Sequence, residues 1–235
     1  MKLPALFRRR HVWVPTLWTW LVLAVALGLA AFFAARNVYA FLAPNEPVGA
    51  HLLVVEGWMD ADELDQALRA LETGRWERIV TTGGPIADFE AGDTRYYADR
   101  ARDYLVRRGL TSDRVTAVRS PASAQDRSFL NAVLVRDWVA SSGVAVDSVD
   151  VFSSGAHSRR SRLLYGLAFG PQVRVGILAA VPSSYEPAAW WRSSAGTEEI
   201  LKEGIAWLWT ELFFHPGPPG SHDERWGVTP SPQAS

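Results

Sequence analysis

The sequence of 235 residues contains no cysteine. Disulfide frameworks and metal sites built on thiolates are therefore excluded. Lysine is almost as rare, because Lys2 and Lys202 are the only two lysines among 24 basic residues, and the formal net charge is −1. A chain so close to neutrality has no bulk attraction for nucleic acid, so we predict no nucleic-acid partner. We also predict no metal site.

Two catalytic signatures are also missing. No G-x-G-x-x-G follows the first predicted strand, Leu52–Glu56, which argues against a nicotinamide or flavin cofactor. No G-x-S-x-G surrounds Ser153 or Ser154, which argues against a serine nucleophile. The sequence indicates no other cofactor and defines no oligomeric state.

One long uncharged segment, from residue 12 to residue 35, stands out near the N-terminus. At about 1.5 Å per residue it is long enough to cross a hydrocarbon core of about 30 Å, and aromatic residues near its ends resemble interfacial belts. The apolar core of a secretory signal peptide is only about 7–15 residues long. The greater length therefore predicts an anchor retained in the lipid bilayer over residues 12–36, rather than a signal peptide cleaved after Val38-Tyr39-Ala40.

Basic residues are distributed unequally around this segment. Lys2, Arg8, Arg9 and Arg10 precede it, whereas Arg36 is the only basic residue that follows soon after. The positive-inside bias predicts a single-pass protein of the plasma membrane whose N-terminus is cytoplasmic. The predicted divisions are residues 1–11 in the cytoplasm, 12–36 as the transmembrane helix, 37–47 as a linker, 48–214 as an extracytoplasmic domain and 215–235 as a disordered tail rich in Pro, Gly and Ser.

The domain alternates between short apolar runs and stretches of helical period. This pattern predicts an α/β fold, a doubly wound, mostly parallel Rossmann-like sheet with helices on both faces. Asp60-x-x-Glu63 is a capping box that starts the first domain helix, which accounts for Asp60 without a bound cation. The last helix covers residues 197–214, and the predicted strands cover residues 52–56, 78–84, 113–118, 148–154 and 173–180.

Small and polar residues collect directly after the predicted strands, where doubly wound folds bind ligands. Small residues let a ligand approach the backbone, and helix N-termini present N–H groups to an anion. Ser128 and Asn131 either contact the ligand or brace a turn through hydrogen bonds to the backbone. The candidate ligand-binding residues, which we expect to converge on one crevice for an anion, are Gly57, Thr82, Gly83, Gly84, Ser128, Asn131, Ser154, Gly155 and Arg160.

The stretch SSGAHSRRSR, residues 153–162, contains the first catalytic candidate. His157 is either a general acid/base that shares a helix face with Arg160 or a histidine that caps the helix start. Arg159 and Arg162 point away from Arg160 because adjacent helical positions diverge by about 100°. Glu56 is the second catalytic candidate, since a carboxylate at the end of the first strand lies in the expected crevice.

The last predicted helix combines tryptophans with one aliphatic stripe. We interpret this stripe, which consists of Leu201, Ile205, Leu208 and Leu212, as the face that packs on the sheet. Trp207 and Phe214 fall off the stripe. The alternative is that the helix lies with its apolar face on a membrane surface.

Three motifs resemble, in order and spacing, the signatures of the ElyC/SanA/YdcF family over residues 50–210. They are IVTTGG at residues 79–84, Ser128-x-x-Asn131-Ala132, and VFSSGAHSRRS at residues 151–161. The resemblance matches Thr82, Gly83 and Gly84 to a glycine turn, and His157 and Arg160 to a His-x-x-Arg pair. It implies a Rossmann-like domain. It also implies a role in peptidoglycan or envelope biogenesis, because envelope members with one membrane helix are linked to that process, whereas soluble relatives are associated with S-adenosylmethionine.

The sequence departs from the family at two acidic positions. Tyr97 stands where the family has a glutamate that opens the second crossover helix, and the acid expected before Ser128 is missing. Both departures argue against glutamate-dependent chemistry in this chain.

The combined prediction is a membrane-anchored extracytoplasmic domain that binds or acts on an anionic precursor of the cell envelope. In one form of this hypothesis the precursor is linked to a lipid. If the protein is an enzyme, the reaction is hydrolysis or transfer at a phosphate ester with His157 as acid/base. The alternative is a non-catalytic envelope scaffold or ligand sensor, which the missing glutamates favour. A nucleotide or S-adenosylmethionine binder is the third and weakest hypothesis.

Overall fold

The computed structural model describes residues 13–73, 76–86, 95–122, 127–221 and 223–225. The chain divides into two compact units, and the boundary along the chain falls between Asn37 and Val38. Helix α1, Leu17–Leu42, begins after Pro15 and Thr16, where the Thr16 hydroxyl accepts a hydrogen bond from the Thr19 amide at 3.3 Å. Within the described ranges, α1 is the one helix that is long and apolar enough to cross a membrane. It starts later than the predicted span of 12–36 because a proline and a threonine cap precede it.

The second unit is built on five parallel strands in the order β3-β2-β1-β4-β5. These strands are β1 Leu52–Glu56, β2 Arg78–Gly83, β3 Val115–Arg119, β4 Ser148–Ser154 and β5 Arg174–Ala180. The order reverses between β1 and β4, which is the switch point where doubly wound folds bind ligands. The predicted Rossmann-like α/β fold is confirmed.

Helices cover both faces of the sheet. They are α2 Ala61–Thr73 and α3 Tyr97–Arg107 on one face, α4 Arg127–Ser141 and α5 Ser158–Phe169 on the other, and α6 Ser194–Phe213 next to α5. The capping box at the start of α2 is confirmed, because the Asp60 amide donates to Glu63 Oε2 at 3.1 Å and the Glu63 amide donates to Asp60 Oδ1 at 2.9 Å. Short 3₁₀ turns precede α5 and α6.

Parts of the predicted linker and tail pack on the domain. Leu42 is buried in a cluster with Ile200, and the Glu46 amide donates to Ile177 of β5 at 2.8 Å. In the tail, residues 215–221 and 223–225 are described, and buried Glu224 accepts a hydrogen bond from Arg136 of α4 at 3.0 Å. The packing of Leu42 and the ion pair between Arg136 and Glu224 thus hold residues against the domain that lie outside its predicted limits of 48–214.

Helix α6 presents a different face from the predicted one. The aliphatic stripe of Leu201, Ile205, Leu208 and Leu212 is 49–69 % exposed, so the predicted packing face is wrong. The buried positions of α6 are instead Gly196, Ile200, Glu203 and Thr210. Trp207 lies edge-on to Phe41 at 4.9 Å, and Phe214 lies 5.0 Å from Phe129 between ring centroids. Small and polar side chains allow α6 to approach the domain on that side.

A buried aspartate in the middle of β4 joins three segments of the domain. Asp150 Oδ1 accepts a hydrogen bond from the Val48 amide at 2.8 Å, and Oδ2 accepts from the Ala50 amide at 3.0 Å and from Trp76 Nε1 at 2.9 Å. The position paired with Asp150 on β5 must be glycine, because a Cβ at Gly176 would lie 2.0 Å from Asp150 Oδ1. One carboxylate therefore secures the entry to β1 and the segment before β2.

Replacement of Asp150 by Asn tests this role. We expect Asp150→Asn to lower the free energy of unfolding by about 2–3 kcal/mol, because an amide group then faces donors that need acceptors. Denaturant unfolding of the full-length protein in detergent measures the change. Asp147→Asn is the control, since Asp147 is exposed and the same substitution there should cost less than about 0.5 kcal/mol. Equal losses at the two positions contradict the account.

Candidate functional site

A cavity of about 650 Å³ lies beside the carboxyl ends of the strands. Its walls come from the segments that follow β2, β3 and β4, together with the first turn of α4 and one side of α6. Trp58 and Tyr97 also line it. Six of the predicted site residues line this single cavity, namely Gly83, Gly84, Ser128, Asn131, His157 and Arg160.

His157 is held from one side by two charged residues. Its Nδ1 atom lies 3.1 Å from Glu203 Oε2 and 2.9 Å from Arg160 Nη2, and the Trp58 ring stands edge-on to the imidazole at 5.1 Å. Its Nε2 atom is buried without a hydrogen-bond partner among the described residues, 3.8 Å from Glu56 Oε2. The side chain is therefore fixed in orientation, and Nε2 is the ring nitrogen that makes no hydrogen bond to the described part of the protein.

The tautomer of His157 decides what that nitrogen does. If Nδ1 carries the proton it donates to Glu203, and the Nε2 lone pair is a base. If Nδ1 accepts from Arg160, Nε2 carries the proton and is an acid. The two charged partners of Nδ1 thus allow either tautomer of the neutral imidazole.

Glu203 binds Arg160 as well as His157. Arg160 Nε donates to Glu203 Oε2 at 2.9 Å and Nη2 donates to Oε1 at 3.2 Å, a bidentate pair. Burial alone raises the pKa of Glu203, but hydrogen bonds and charge from His157 and then Arg160 outweigh it and lower the pKa to about 2. Arg160 lines the cavity as predicted for a ligand-binding residue, but Glu203 already supplies a carboxylate for its guanidinium.

Glu203 is the site residue that sequence reasoning missed. It lies on α6, 46 residues after His157, and no motif links the two. One signal was present in the sequence, since Glu199 and Glu203 are spaced i, i+4 and so share a face of the last helix.

Glu56 lies behind the cavity rather than on its wall. The carboxylate is fully buried at the end of β1, and Ser153 Oγ donates to Oε2 at 2.5 Å. Ser161 Oγ donates to the same group at 3.1 Å. Glu56 therefore joins β1 to β4 and α5 at the switch point, and its nearest approach to the cavity is the contact with His157 Nε2.

Four predicted ligand residues do not line the cavity. The Gly57 amide donates to the carbonyl of Thr82 at 2.7 Å, and a Cβ at Gly57 would lie 2.4 Å from the carbonyl oxygen of Tyr97. Close packing between neighbouring segments thus explains Gly57 and Thr82. The other two lie beside carboxylates of the protein itself: Ser154 contacts one, and a Cβ at Gly155 would lie 2.9 Å from Glu199 Oε1.

Those carboxylates occupy the start of α5. Ser154 Oγ donates to Glu63 Oε1, and the Ala156 amide donates to Glu199 Oε1 at 3.3 Å. Burial raises the pKa of both glutamates, and the hydrogen bonds that they accept only partly oppose this shift. The helix start that was predicted to bind an anionic ligand is therefore already bound by Glu199.

The described lining of the cavity nevertheless carries more positive than negative charge. Three cations line it, Arg127, Arg160 and Lys202, and Glu203 is the one carboxylate among its described lining residues. The first turn of α4 contributes Arg127 and Ser128 and contains no acidic residue. The surplus of cations among the described lining residues favours an anionic ligand.

The sequence matches no protein-family model and no curated protein sequence. The class of the protein follows from its fold, a Rossmann-like α/β unit that follows an apolar helix long enough to cross a membrane.

The replacement Glu203→Gln tests the electrostatics of the site. The pKa of Glu203 is about 2 in the folded state against 4.5 for an ordinary glutamate, so its ionised form stabilises the protein above about pH 5 and the effect is lost as the pH falls toward 2. We expect the free energy of unfolding to drop by about 1–3 kcal/mol at neutral pH, with the difference vanishing near about pH 2.

Denaturant unfolding across this pH range measures the difference. The exposed Glu211 on the same helix provides the control, because Glu211→Gln should change stability by less than about 0.5 kcal/mol at every pH. A loss for Glu203→Gln that does not depend on pH contradicts the ion pairing.

Proposed function

We propose that the cavity binds an anionic, phosphate-containing ligand and that His157 transfers a proton during hydrolysis or transfer at a phosphate ester. The observation that carries this proposal is the state of His157, whose Nδ1 contacts Glu203 and Arg160 while Nε2 lies buried without a partner among the described residues. A histidine oriented by a carboxylate, with its second nitrogen unbound, suits a general acid/base.

The proposed reaction assigns a role to each group in the cavity. His157 Nε2 accepts the proton of the attacking water or acceptor hydroxyl, the new P–O bond forms, and the bond from phosphorus to the leaving oxygen breaks. The proton then passes from Nε2 to the leaving oxygen. Arg127 and Lys202 balance the phosphate charge, and Arg160 keeps Glu203 ionised beside the imidazolium that forms.

We infer further that α1 anchors the protein in the plasma membrane, with the N-terminus in the cytoplasm and the α/β domain outside. Its length and apolar composition support an anchor, and the charges that precede it support this orientation. The weak cleavage site at Val38-Tyr39-Ala40 lies within α1, and the Tyr39 ring contacts Tyr185 at 6.3 Å between centroids. Cleavage there would remove a packed helical turn, which favours retention.

An anchored domain with a cationic cavity suits an anionic precursor of the cell envelope, and a lipid-linked one in particular. The resemblance to the ElyC/SanA/YdcF family points to the same ligand class. Six of the residues that carry the resemblance line the cavity, namely Gly83, Gly84, Ser128, Asn131, His157 and Arg160. We propose membership of that family on this basis.

A non-catalytic ligand sensor is the second candidate function. The observation that favours it is the bidentate pair between Arg160 and Glu203, because the pair neutralises the guanidinium that would otherwise stabilise a transition state. Under this alternative the cavity binds the same ligand, but no bond in the ligand is broken.

Phosphate release from a polyprenyl monophosphate, a lipid-linked phosphate ester, tests the catalytic proposal in full-length protein reconstituted in lipid nanodiscs. We expect His157→Ala to reduce the rate by roughly 10²–10⁴-fold, the usual contribution of a general acid/base. His51→Ala is the matched control, because the His51 side chain is exposed and pairs with the exposed Glu77, away from the cavity lining. Its rate should equal that of the wild type.

Two further measurements separate the candidate functions. Thermal unfolding establishes that His157→Ala is folded, and a titration with the polyprenyl monophosphate measures binding. Wild-type protein that binds the monophosphate without releasing phosphate supports the sensor. Equal rates for the wild type and a folded His157→Ala protein refute the role of His157.

A further inference from the structure

Helix α6 carries a large apolar surface that the described part of the chain does not cover. The six residues that form this surface are between 48 % and 69 % exposed. Together they amount to several hundred square ångströms of contiguous apolar area, more than a soluble monomer usually exposes without a function. This surface, called the α6 stripe below, consists of Leu201, Ile205, Leu208, Trp209, Leu212 and Phe213.

The chain connects the α6 stripe closely to the apolar helix. Residues 38–42 form the last part of α1 and also pack on α6, where Phe41 lies against Trp207 and Leu42 against Ile200. No loop separates these residues from the apolar segment that precedes them. If that segment lies in a bilayer, a few residues of chain tether α6 to the membrane, and the local concentration of lipid surface is high.

The composition of α6 also suits a lipid surface. Trp209 and Phe213 stand at the edge of the stripe, and tryptophan is enriched where proteins meet the headgroup region. Of the exposed charged residues on the same helix, Glu211 lies off the stripe by helical position, whereas Glu198 and Lys202 share its face at the N-terminal end of the helix. A helix of this kind sinks its apolar face about 5–10 Å into the boundary between headgroups and acyl chains.

We infer that the α6 stripe docks the α/β domain on the surface of the bilayer that holds α1. The adjoining side of α6 lines the cavity through Lys202, Ala206 and Trp209. Docking therefore brings one rim of the cavity to the depth of the lipid headgroups, where the anionic group of a lipid-linked ligand lies. This inference rests on the anchoring proposed above but not on catalysis.

Single-cysteine labelling tests the docking, because the protein has no cysteine of its own. The full-length variants Ile205→Cys on the stripe, Val25→Cys in the apolar helix and Arg107→Cys on α3 each carry the same fluorophore. They are reconstituted in vesicles of phosphatidylcholine and phosphatidylglycerol that contain a nitroxide lipid quencher near the headgroup end of an acyl chain. We expect quenching at 205 to exceed that at 107 by at least about twofold.

The three positions separate docking from anchoring. Quenching at 25 and 205, with little at 107, supports the inference. Quenching at 25 alone overturns docking and leaves the anchor in place, whereas the absence of quenching at 25 and 205 overturns both. Efficient cross-linking between two copies of Ile205→Cys, with no quenching of its label, shows that a second copy covers the stripe and also overturns the inference.

Discussion

The contact of Glu203 with His157 and Arg160 is the interaction on which the site depends. Glu203 is a buried carboxylate, and a buried charge is tolerated only when it is paired and hydrogen-bonded. His157, in the turn before α5, and Arg160 of α5 meet this requirement, and in return Glu203 fixes the orientation of the imidazole and pairs with the guanidinium. α6 thereby joins α5 through polar atoms, so the wall of the cavity and the orientation of the histidine are consequences of one contact.

The same contact divides the cavity into two regions with different chemistry. Near Glu203 the charges of the protein are paired, and the Nε2 atom of His157, buried without a hydrogen-bond partner among the described residues, is the proposed proton-transfer atom. Arg127 and Lys202 are exposed and carry the remaining positive charge. Because α6 directs Glu203 inward and its aliphatic side chains outward, one helix combines the proposed proton-transfer site with the proposed membrane contact.

Sequence patterns predict the sheet and most of the cavity wall, because both depend on local order. Buried parallel strands leave unbroken apolar runs, and the ends of β1 and β4 are predicted to the residue. Glu203 escapes prediction since its partners lie in another helix. The prediction of the packing face of α6 fails for a related reason. Helical period locates an apolar face, but only tertiary structure shows whether protein covers it, and here Gly196 and Thr210 face the domain instead.

A double-mutant cycle between His157 and Glu203 tests the central contact most directly. Full-length His157→Gln, Glu203→Gln and the double variant are unfolded by denaturant beside the wild type at neutral pH. The structure predicts a coupling free energy of at least about 1 kcal/mol, with the double variant less destabilised than the two single losses together. Additive losses would show that the two side chains do not interact, and the proposed orientation of His157 would then be wrong.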